Sequence, residues 1–410
     1  MMSPPMSPPM SPAVAALQQA WLNRRREPVL RGVSLDVAAG EHVTLLADDE
    51  AATDAVLMLL AGFATPASGA VRLAGRDVAG VPPERRGVAV VHRGLGLFER
   101  LTVAGNAGFS GASPRAVQAM LSLAGLQAAA AMRPVALSGA ERVRLAIARA
   151  LLQRSPLLLL NQPLAGLDAE GREAACAFVA AARAEREFAI VHAAADAEAA
   201  FNGFGVERER MLALVGGAVA QQGTPGETYD APATVGVAAL TGPLNVLPGT
   251  VLEAFDGEVL VGLASGVVVA ARAEGPGICA GMACVVGVRP ERIALAASAV
   301  ADFGEGAFTA TVRGVAFRRD RWRIRLQLGA DDAGPELLVD RPAGVPLGSL
   351  RAGAPVAVAW QAHHAMAYPA EGGAWVEGDA WAAAVAPPLA RSYPAEAHDV
   401  PPLNLQDRSR

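Results

Sequence analysis

No lysine occurs in this chain, and all 35 basic residues are arginine. A glycine-rich loop that holds nucleotide phosphates normally ends in a lysine, whose ammonium group reaches the β- and γ-phosphates. The sequence therefore excludes a lysine-based phosphate loop at every position, whatever the fold.

Cysteines and long apolar runs are also scarce. The three cysteines, Cys176, Cys279 and Cys284, are too scattered for a disulfide framework or a metal cluster, so we interpret them as small buried residues in a reducing cytoplasm. No apolar run reaches the length of about 18 residues that a membrane-spanning helix needs. The opening stretch MMSPPMSPPMSP lacks the basic and apolar regions of a signal peptide.

What is present is typical of a globular protein. Of the 410 residues, 52% are hydrophobic and 18% are charged, which is enough apolar side chain for two or three domains with a sizeable core. The formal net charge of −5 argues against a general nucleic-acid binder, and we expect no nucleic-acid partner.

The pattern along the chain predicts five segments. Residues 1–14 are Met-Ser-Pro repeats and are predicted to be disordered. In residues 15–235, apolar strand-like runs alternate with helical stretches, which predicts an α/β domain with a largely parallel sheet. Residues 236–248 are predicted to be a linker, residues 249–370 an all-β domain, and residues 371–410 a flexible tail.

The β domain contains a weak internal repeat. AGMACVVGVRPERIAL (280–295) and AGAPVAVAWQAHHAMA (352–367) share a leading Ala-Gly and the same alternation of apolar residues. Two copies of a small β-unit predict a double barrel-like module, with turns at 256–257 and 331–334 and a half-buried strand at 321–328.

Four segments in fixed order carry a family resemblance. They are LSGAERVRLAIARALL from Leu137, LLLLNQPLAGLDA from Leu157, FAIVHAAADAEAAF from Phe188 and QQGTPGETYDAP from Gln221. Over roughly residues 20–370 the chain resembles the ATP-binding subunits of ABC importers of the polyamine, iron and sugar type, which carry a C-terminal TOBE domain. The resemblance implies a P-loop NTPase-like ABC domain followed by a TOBE/OB-like β domain. It also implies ATP and magnesium as cofactors, permease subunits and a second ATP-binding subunit as partners, and a cytoplasmic position at the inner face of the membrane.

The phosphate loop of this family aligns with LLADDEAATDAVL. Ala47 and Ala52 stand at the two glycines, Thr53 at the lysine and Asp54 at the first hydroxyl. The aligned positions are Ala47, Asp48, Asp49, Glu50, Ala51, Ala52, Thr53 and Asp54. Two like charges about 4 Å apart repel by roughly 4 kcal/mol at an effective dielectric of 20, so carboxylates here oppose a bound triphosphate. Acidic and threonine side chains at a helix N-terminus instead predict a loop that caps its own helix.

Three further elements differ from the family, and each difference also removes a group that the family uses for nucleotide binding or hydrolysis. The Walker B strand of the family ends in Asp-Glu, whereas this chain has Asn161 and Gln162. An amide is a poor ligand for magnesium and a neutral Gln162 cannot act as a general base. Arg93 stands where the family has a glutamine, and residues 23–26 lack the aromatic residue that stacks on adenine, with Trp21 nearby.

Other family elements are retained. Leu137, Ser138 and Gly139 begin the signature motif, and Ala140 and Glu141 replace its last two residues. The resemblance implies that this motif donates to the γ-phosphate on a partner subunit, whereas Ser138-x-x-Glu141 by itself also fits a helix capping box. Asp168 matches the D-loop, and His192 is assigned to the switch histidine.

Two features of the β domain receive structural interpretations. Arg289 and Glu291 are predicted to form a solvated surface pair worth under about 1 kcal/mol. His363 and His364 have no cysteine or carboxylate at ligand spacing, so no metal site is predicted.

These observations predict an ATP-binding-type subunit of a polyamine-like importer. We expect it to be a catalytically inactive pseudo-ATPase that acts structurally or regulatorily in a mixed dimer, without ATP or magnesium in its own site. One alternative is an active ATPase whose divergent site still energises uptake. The other is a soluble small-molecule sensor that uses the TOBE-like domain.

Overall fold

Alternating strands and helices build the first part of the molecule, and strands build the second. In a computed structural model the chain is described for residues 13–201, 204, 209–273, 278–296, 307–329, 334–348 and 350–370. The predicted disorder at 1–12, the tail at 371–410 and the turn residues 331–333 lie outside the described residues. The first strand begins at Ala13, inside the segment predicted to be disordered.

The elements have the following bounds. The strands are β1 (Ala13–Arg24), β2 (Glu27–Ala38), β3 (His42–Ala47), β4 (Ser68–Leu73), β5 (Arg76–Asp77), β6 (Val88–Val91), β7 (Leu157–Asn161), β8 (Ala189–Ala193), β9 (Glu209–Val215), β10 (Ala218–Gly223), β11 (Asn245–Phe255), β12 (Glu258–Leu263), β13 (Val268–Ala273), β14 (Ala283–Val288), β15 (Ala294–Ala296), β16 (Phe308–Arg318), β17 (Arg321–Leu328), β18 (Glu336–Pro342), β19 (Pro355–Ala359) and β20 (Ala365–Pro369). The α-helices are α1 (Glu50–Ala61), α2 (Val103–Ala107), α3 (Pro114–Leu123), α4 (Gly139–Leu151), α5 (Ala169–Glu185), α6 (Ala197–Phe201), α7 (Pro225–Asp230) and α8 (Val235–Leu240).

A six-stranded sheet forms the centre of the first domain. Its order is β10-β9-β3-β8-β7-β6, and the pairs among β3, β6, β7, β8 and β9 are parallel. The apolar run Leu157–Leu160 is buried on both faces, which is why it lacks the alternation of a half-exposed strand. The predicted α/β domain with a largely parallel sheet is therefore confirmed.

Two apolar cores lie on opposite faces of this sheet. One joins the sheet to α1 and to the antiparallel sheet β2-β1-β4-β5. The other joins it to α2, α3, α4 and α5. Because side chains alternate along a strand, neighbouring residues of β8 enter different cores: Val191 packs on the α1 side and Ile190 on the other.

The second domain consists of a closed barrel and a five-stranded sheet. The barrel order is β11-β12-β13-β20-β14, and the sheet order is β15-β19-β16-β17-β18. They share one apolar core. The predicted strand at 321–328 matches β17, and the residues assigned to a linker, 236–248, form most of α8 and the start of β11.

The two copies of the internal repeat pair with each other, strand by strand. The first copy contains β14 and β15 around a 3-10 turn at 290–292, and the second contains β19 and β20 around a 3-10 turn at 362–364. β14 pairs with β20 in the barrel, and β15 pairs with β19 in the sheet. Each copy therefore contributes one strand to each structure, rather than building a barrel of its own.

None of the helices in the described part of the chain has the length and apolarity needed to cross a membrane.

Candidate functional site

The loop between β3 and α1 carries the acidic residues of the altered phosphate-loop sequence. Asp49 is the N-cap of α1, and its Oδ1 accepts a 2.9 Å hydrogen bond from the Ala51 amide. The Ala52 amide donates to the Asp49 carbonyl at 3.0 Å. Two amides at the start of α1 thus already have acceptors in the chain, and the predicted self-capping is confirmed for Asp49.

The residues on either side are also engaged within the chain. Oδ2 of Asp48 accepts from the Gly216 amide at 2.9 Å, and the Asp48 amide donates to the Leu214 carbonyl at 3.3 Å. Thr53 is buried, and its hydroxyl donates to the Glu50 carbonyl at 3.0 Å. Thr53 does not cap the helix as the sequence suggested, because its hydroxyl satisfies a carbonyl rather than an amide.

Arg93 joins two of the other altered positions. Its Nη2 lies 2.8 Å from Oε1 of Glu50 at the start of α1. Its Nε donates to Oε1 of Gln162, just after β7, at 2.9 Å. Gln162 is buried and has a left-handed backbone with φ of 46°. We call Glu50, Arg93 and Gln162 the Arg93 cluster.

A second polar contact joins two more altered positions. Nδ2 of Asn161, the last residue of β7, donates to Oδ1 of Asp54 in α1 at 2.8 Å. The Asn161 Oδ1 atom is buried and accepts no hydrogen bond from the described residues. The structure thus brings loop, helix and strand-end residues together through their own side chains.

The retained signature residues form the start of α4. Ser138 is its N-cap, and the Ser138 amide donates to Oε2 of Glu141 at 2.8 Å while the Glu141 amide donates to Oγ of Ser138 at 3.3 Å. The hydrogen bonds that the Ser138 amide and hydroxyl donate to the Glu141 carboxylate lower its pKa. The hydroxyl of Ser138 also donates to the Glu141 carboxylate at 2.9 Å. The predicted capping box is confirmed.

The D-loop aspartate lies beside the signature segment. Asp168 is the N-cap of α5, and its Oδ1 accepts from the Gly171 amide at 2.8 Å. A Cβ at Gly171 would come within 2.9 Å of the Ala140 Cβ, so the starts of α4 and α5 can only approach this closely with glycine there. A Cβ at Gly139 would lie 3.6 Å from the Leu167 side chain. The signature segment and the D-loop segment are therefore packed against each other at the starts of α4 and α5.

His192 is separated from the Arg93 cluster by its orientation in β8. It lies between Val191 and Ala193, which face α1, and so points to the opposite face of the sheet. Its ring stacks on His42 at a centroid distance of 6.1 Å and contacts the edge of Phe204 at 5.4 Å. Full burial lowers its pKa to about 4. The structure therefore does not bring His192 to the other predicted site residues.

A cavity of about 480 Å³ lies beside the loop. Its charged lining residues are Arg24, Arg25, Glu27, Arg31, Asp48 and Asp49. Trp21 and other aromatic residues are not among its lining residues. Arg25 and Arg26 form the β1–β2 turn with φ values of 51° and 73°, a conformation that usually requires glycine or asparagine.

Arg289 differs from the sequence prediction. It is 6% exposed, and its guanidinium donates to the carbonyls of Ala238, Gly242 and Pro243 and to the Thr241 hydroxyl. Glu291 instead accepts from the Tyr229 hydroxyl. The prediction of a solvated Arg289–Glu291 pair is wrong, because the Arg289 side chain is buried against the end of α8 and the residues that follow it.

No group of three or more histidine, cysteine, aspartate or glutamate side chains in the described ranges is arranged to hold a metal ion.

The sequence matches two family models and several known proteins. A family model described as ABC transporter matches residues 30–165, and one described as TOBE domain matches residues 286–367. The chain is 34% identical over 297 residues to the spermidine/putrescine import ATP-binding protein PotA of Thermobifida fusca, covering 70% of this chain and 75% of the relative. It is 32% identical over 344 residues to PotA of Rubrobacter xylanophilus, covering 82% and 88%. It is also 32% identical over 274 residues to the Fe(3+) ions import ATP-binding protein FbpC of Rhizobium etli, covering 65% and 75%.

Proposed function

Because this chain belongs to the ATP-binding subunits of ABC importers that carry a TOBE domain, we propose that it is a pseudo-ATPase of that family. In this proposal its own phosphate loop does not bind ATP with magnesium. The subunit acts structurally or regulatorily beside an intact ATP-binding subunit. ATP hydrolysis by a divergent site is the competing function that the test below must exclude.

The Arg93 cluster is the observation that carries this proposal. Beside it, a second contact joins Asp54 to Asn161, so the residues at five altered positions are bound in two groups, Arg93 with Glu50 and Gln162, and Asp54 with Asn161. The loop amides that would face phosphate are held by Asp49, and the added carboxylates oppose a polyanion. A single substitution would remove only one of these contacts. In this proposal the loss of nucleotide binding therefore depends on several residues together.

The donor set does not fit a magnesium–nucleotide complex. Asn161 offers an amide where a carboxylate is preferred, and its nitrogen is already bound to Asp54. Gln162 has no titratable proton acceptor for an attacking water. No lysine is available to supply the missing ammonium group. Arg93, the arginine in this cluster, is already bound to Glu50 and Gln162. We therefore derive no hydrolytic step for this subunit.

An exposed apolar surface supports a permease as partner. The rings of Phe98 and Phe109 contact each other in a tilted arrangement at a centroid distance of 4.3 Å, and they are 39% and 62% exposed. Met132, whose carbonyl accepts a hydrogen bond from the Val103 amide, and Val135 are 51% and 78% exposed. Large exposed apolar side chains of this kind mark protein interaction sites. The names of the relatives support polyamine-type cargo for the whole importer.

Direct calorimetry tests the proposal. The full chain is titrated with ATP in the presence of magnesium, and an intact family member serves as the positive control. We expect no saturable heat up to millimolar ATP. A micromolar dissociation constant would show that the loop binds nucleotide and would favour the divergent ATPase.

The mixed dimer is tested with a paralogue that retains lysine in its phosphate loop. Co-expressed chains should form a complex whose one live site combines the loop of the paralogue with Ser138 of this chain. Ser138→Arg should abolish ATPase activity of the pair and leave assembly intact. Unchanged activity would mean that Ser138, bound to Glu141, serves only the helix cap.

A further inference from the structure

The hairpin of β16 and β17 extends past the strand beside it. β19 pairs with β16 over residues 308–311, and the last backbone hydrogen bonds on that side are made by Val312. On its other side, β16 is paired with β17 as far as Arg318. Among the described residues, positions 314–318 of β16 therefore have a strand neighbour on one side and an open edge on the other.

Two residues of this edge direct their backbone polar groups away from β17. The pair Arg318–Arg321 closes a two-residue turn, so it is a hydrogen-bonded pair. Hydrogen-bonded and non-hydrogen-bonded pairs alternate along an antiparallel ladder, which leaves the N–H and C=O groups of Val315 and Phe317 pointing outward. Unpaired backbone groups in a row are a template for an added strand.

The two faces of the edge differ in their chemistry. Val315 packs against the apolar core, and Phe317, which is 56% exposed, contacts Trp322 at a ring-centroid distance of 4.8 Å. Cross-strand partners share a face and neighbouring residues of a strand alternate, so Arg318 and Arg321 lie together on the opposite face. One face is therefore apolar and the other is basic.

Two exposed arginines at the tip of the hairpin are in no ion pair with a described residue. They are Arg318 and Arg319. The carboxylate of Asp320 is bound by Arg321 at 2.7 Å, and this hydrogen bond, more than the charge of Arg319, lowers the pKa of Asp320. Free arginines at the edge oppose pairing between the β16 edges of two copies, because like charges would meet, and they favour an acidic strand.

A segment of this chain outside the described residues has the complementary pattern. Residues 371–381 read EGGAWVEGDAW and contain three carboxylates, no arginine or histidine, and two of the five tryptophans of the chain. In an extended conformation the odd-numbered residues from Trp375 to Trp381, which include Glu377 and Asp379, share one face. Small apolar residues occupy the other face.

We propose that residues 374–381 add to the open edge of β16 as an extra strand. On the basic face Glu377 and Asp379 lie beside Arg318, and the two tryptophans offer ring faces to the neighbouring guanidinium groups. On the apolar face the small side chains of the segment cover Phe317. The contact does not depend on the proposed function, and it closes an edge that other chains could otherwise pair with.

The segment can reach this edge from its own molecule. Ala370, the last described residue before it, belongs to the same domain, and its amide donates to the Ala283 carbonyl at 3.2 Å. Eleven extended residues span up to roughly 36 Å. A domain of about 100 residues has a radius of gyration of only about 13 Å, so the length of the segment matches the distances across the domain.

Hydrogen exchange in the full chain tests the contact. Mass spectrometry with fragmentation to single residues follows the amides of β16 at fixed pH. We expect the outward amides of Val315 and Phe317 to exchange about tenfold or more slowly than in the double variant Glu377→Arg with Asp379→Arg, because a paired amide exchanges only when the strand opens. Fast exchange of both amides in the unsubstituted chain would overturn the proposal.

A matched charge reversal separates this contact from an effect of net charge. Glu396→Arg with Asp399→Arg changes the charge by the same amount outside the segment and should leave the exchange rates unchanged. Equal acceleration by this control pair would overturn the proposal. Protection that rises with protein concentration would assign the edge to the segment of a second copy, and would overturn the pairing within one molecule.

A charge swap tests the two partners directly. Arg318→Glu with Arg319→Glu should accelerate exchange as the reversal of Glu377 and Asp379 does, and both positions are exposed, so the fold should persist. The chain that combines both reversals should regain slow exchange, because the opposite charges again face each other. Failure of the combined variant to regain protection would overturn the assignment of the basic face.

Discussion

The side-chain amide of Asn161 donates to the carboxylate of Asp54 across the gap between β7 and α1, at 2.8 Å. In the family pattern the acid belongs to the strand and the hydroxyl to the helix. Here the carboxylate is on the helix and the strand holds a neutral amide. The pair keeps the two elements connected without a metal ion.

Asn161→Asp should make stability depend on divalent cations. The substitution places two carboxylates at hydrogen-bond distance, and a charged group left unpaired there should cost roughly 1–3 kcal/mol of unfolding free energy. Magnesium or manganese should restore part of the loss, measured as Tm with and without the ion. Asn161→Ala is the control and should lose stability without responding to either ion. Equal Tm values for Asn161→Asp and wild type in chelator would contradict the contact.

Gln162→Glu should not restore ATP hydrolysis. Arg93 already binds Oε1 of Gln162, so a glutamate there would pair with the guanidinium and be a weak base. Residues that act as a unit are non-additive, and the phosphate loop would remain altered. Phosphate release should stay at the level of a no-protein blank. Robust turnover by this single variant would mean that residues 47–54 bind nucleotide after all.

Ser138→Ala should destabilise the protein by about 1 kcal/mol through loss of the α4 cap. The substitution removes the acceptor of the Glu141 amide and the hydroxyl that donates to Glu141. Denaturant unfolding measures the change, and Ser138→Asp, which retains a capping acceptor, serves as the control. If the aspartate variant loses as much as the alanine variant, Ser138 stabilises the fold by something other than capping.

Stability should fall as pH decreases from about 6.5 towards 4 because of the buried histidines. The folded-state pKa of His192 is lowered to about 4, mainly by burial, so the unfolded chain takes up the proton first. Burial, His192 and Arg183 likewise lower the pKa of His42. The contribution of His192 is fully present above about pH 6.5, and roughly 3 kcal/mol of it is lost near pH 4.

A phenylalanine at position 192 provides the comparison for that pH dependence. His192→Phe keeps an aromatic ring against Phe204 and His42 and removes the titrating group. Its unfolding free energy should decline less between pH 6.5 and pH 4 than that of wild type. Parallel pH profiles for the two proteins would exclude His192 as a source of acid sensitivity.

Local signals in the sequence predicted the fold and the helix starts well. Ser138 and Glu141 are three residues apart, so the capping box depends only on neighbours in the chain. The Asp49 cap of α1 also depends only on neighbouring residues. The alternation of apolar residues in β17 reflects which face of that strand is buried. The order of motifs predicted the two domains because several segments agreed.

Contacts between distant residues were not predictable from the same signals. Arg93 and Gln162 meet only because β6 and β7 are neighbours in the sheet, and their pairing has no local pattern. His192 was assigned by motif order alone, whereas its position in β8 turns it towards His42. The one sequence signal for the His42–His192 contact was a histidine in each of two strand-like runs. Arg289 was misjudged because its burial depends on α8, some fifty residues earlier.

The pairing of β14 in the first repeat copy with β20 in the second determines when the barrel can be completed during synthesis. β20 closes the barrel between β13 and β14, and it is the last strand of the described chain. A ribosome that has made residues 245–288 has made four of the five barrel strands and left two hydrogen-bonding edges open. Those edges stay unpaired until Ala365–Pro369 emerges, and such long-range closure is slow. The nascent chain therefore has unpaired, aggregation-prone strand edges for most of the translation of its second domain. A stop codon before residue 365 would leave those edges unpaired permanently.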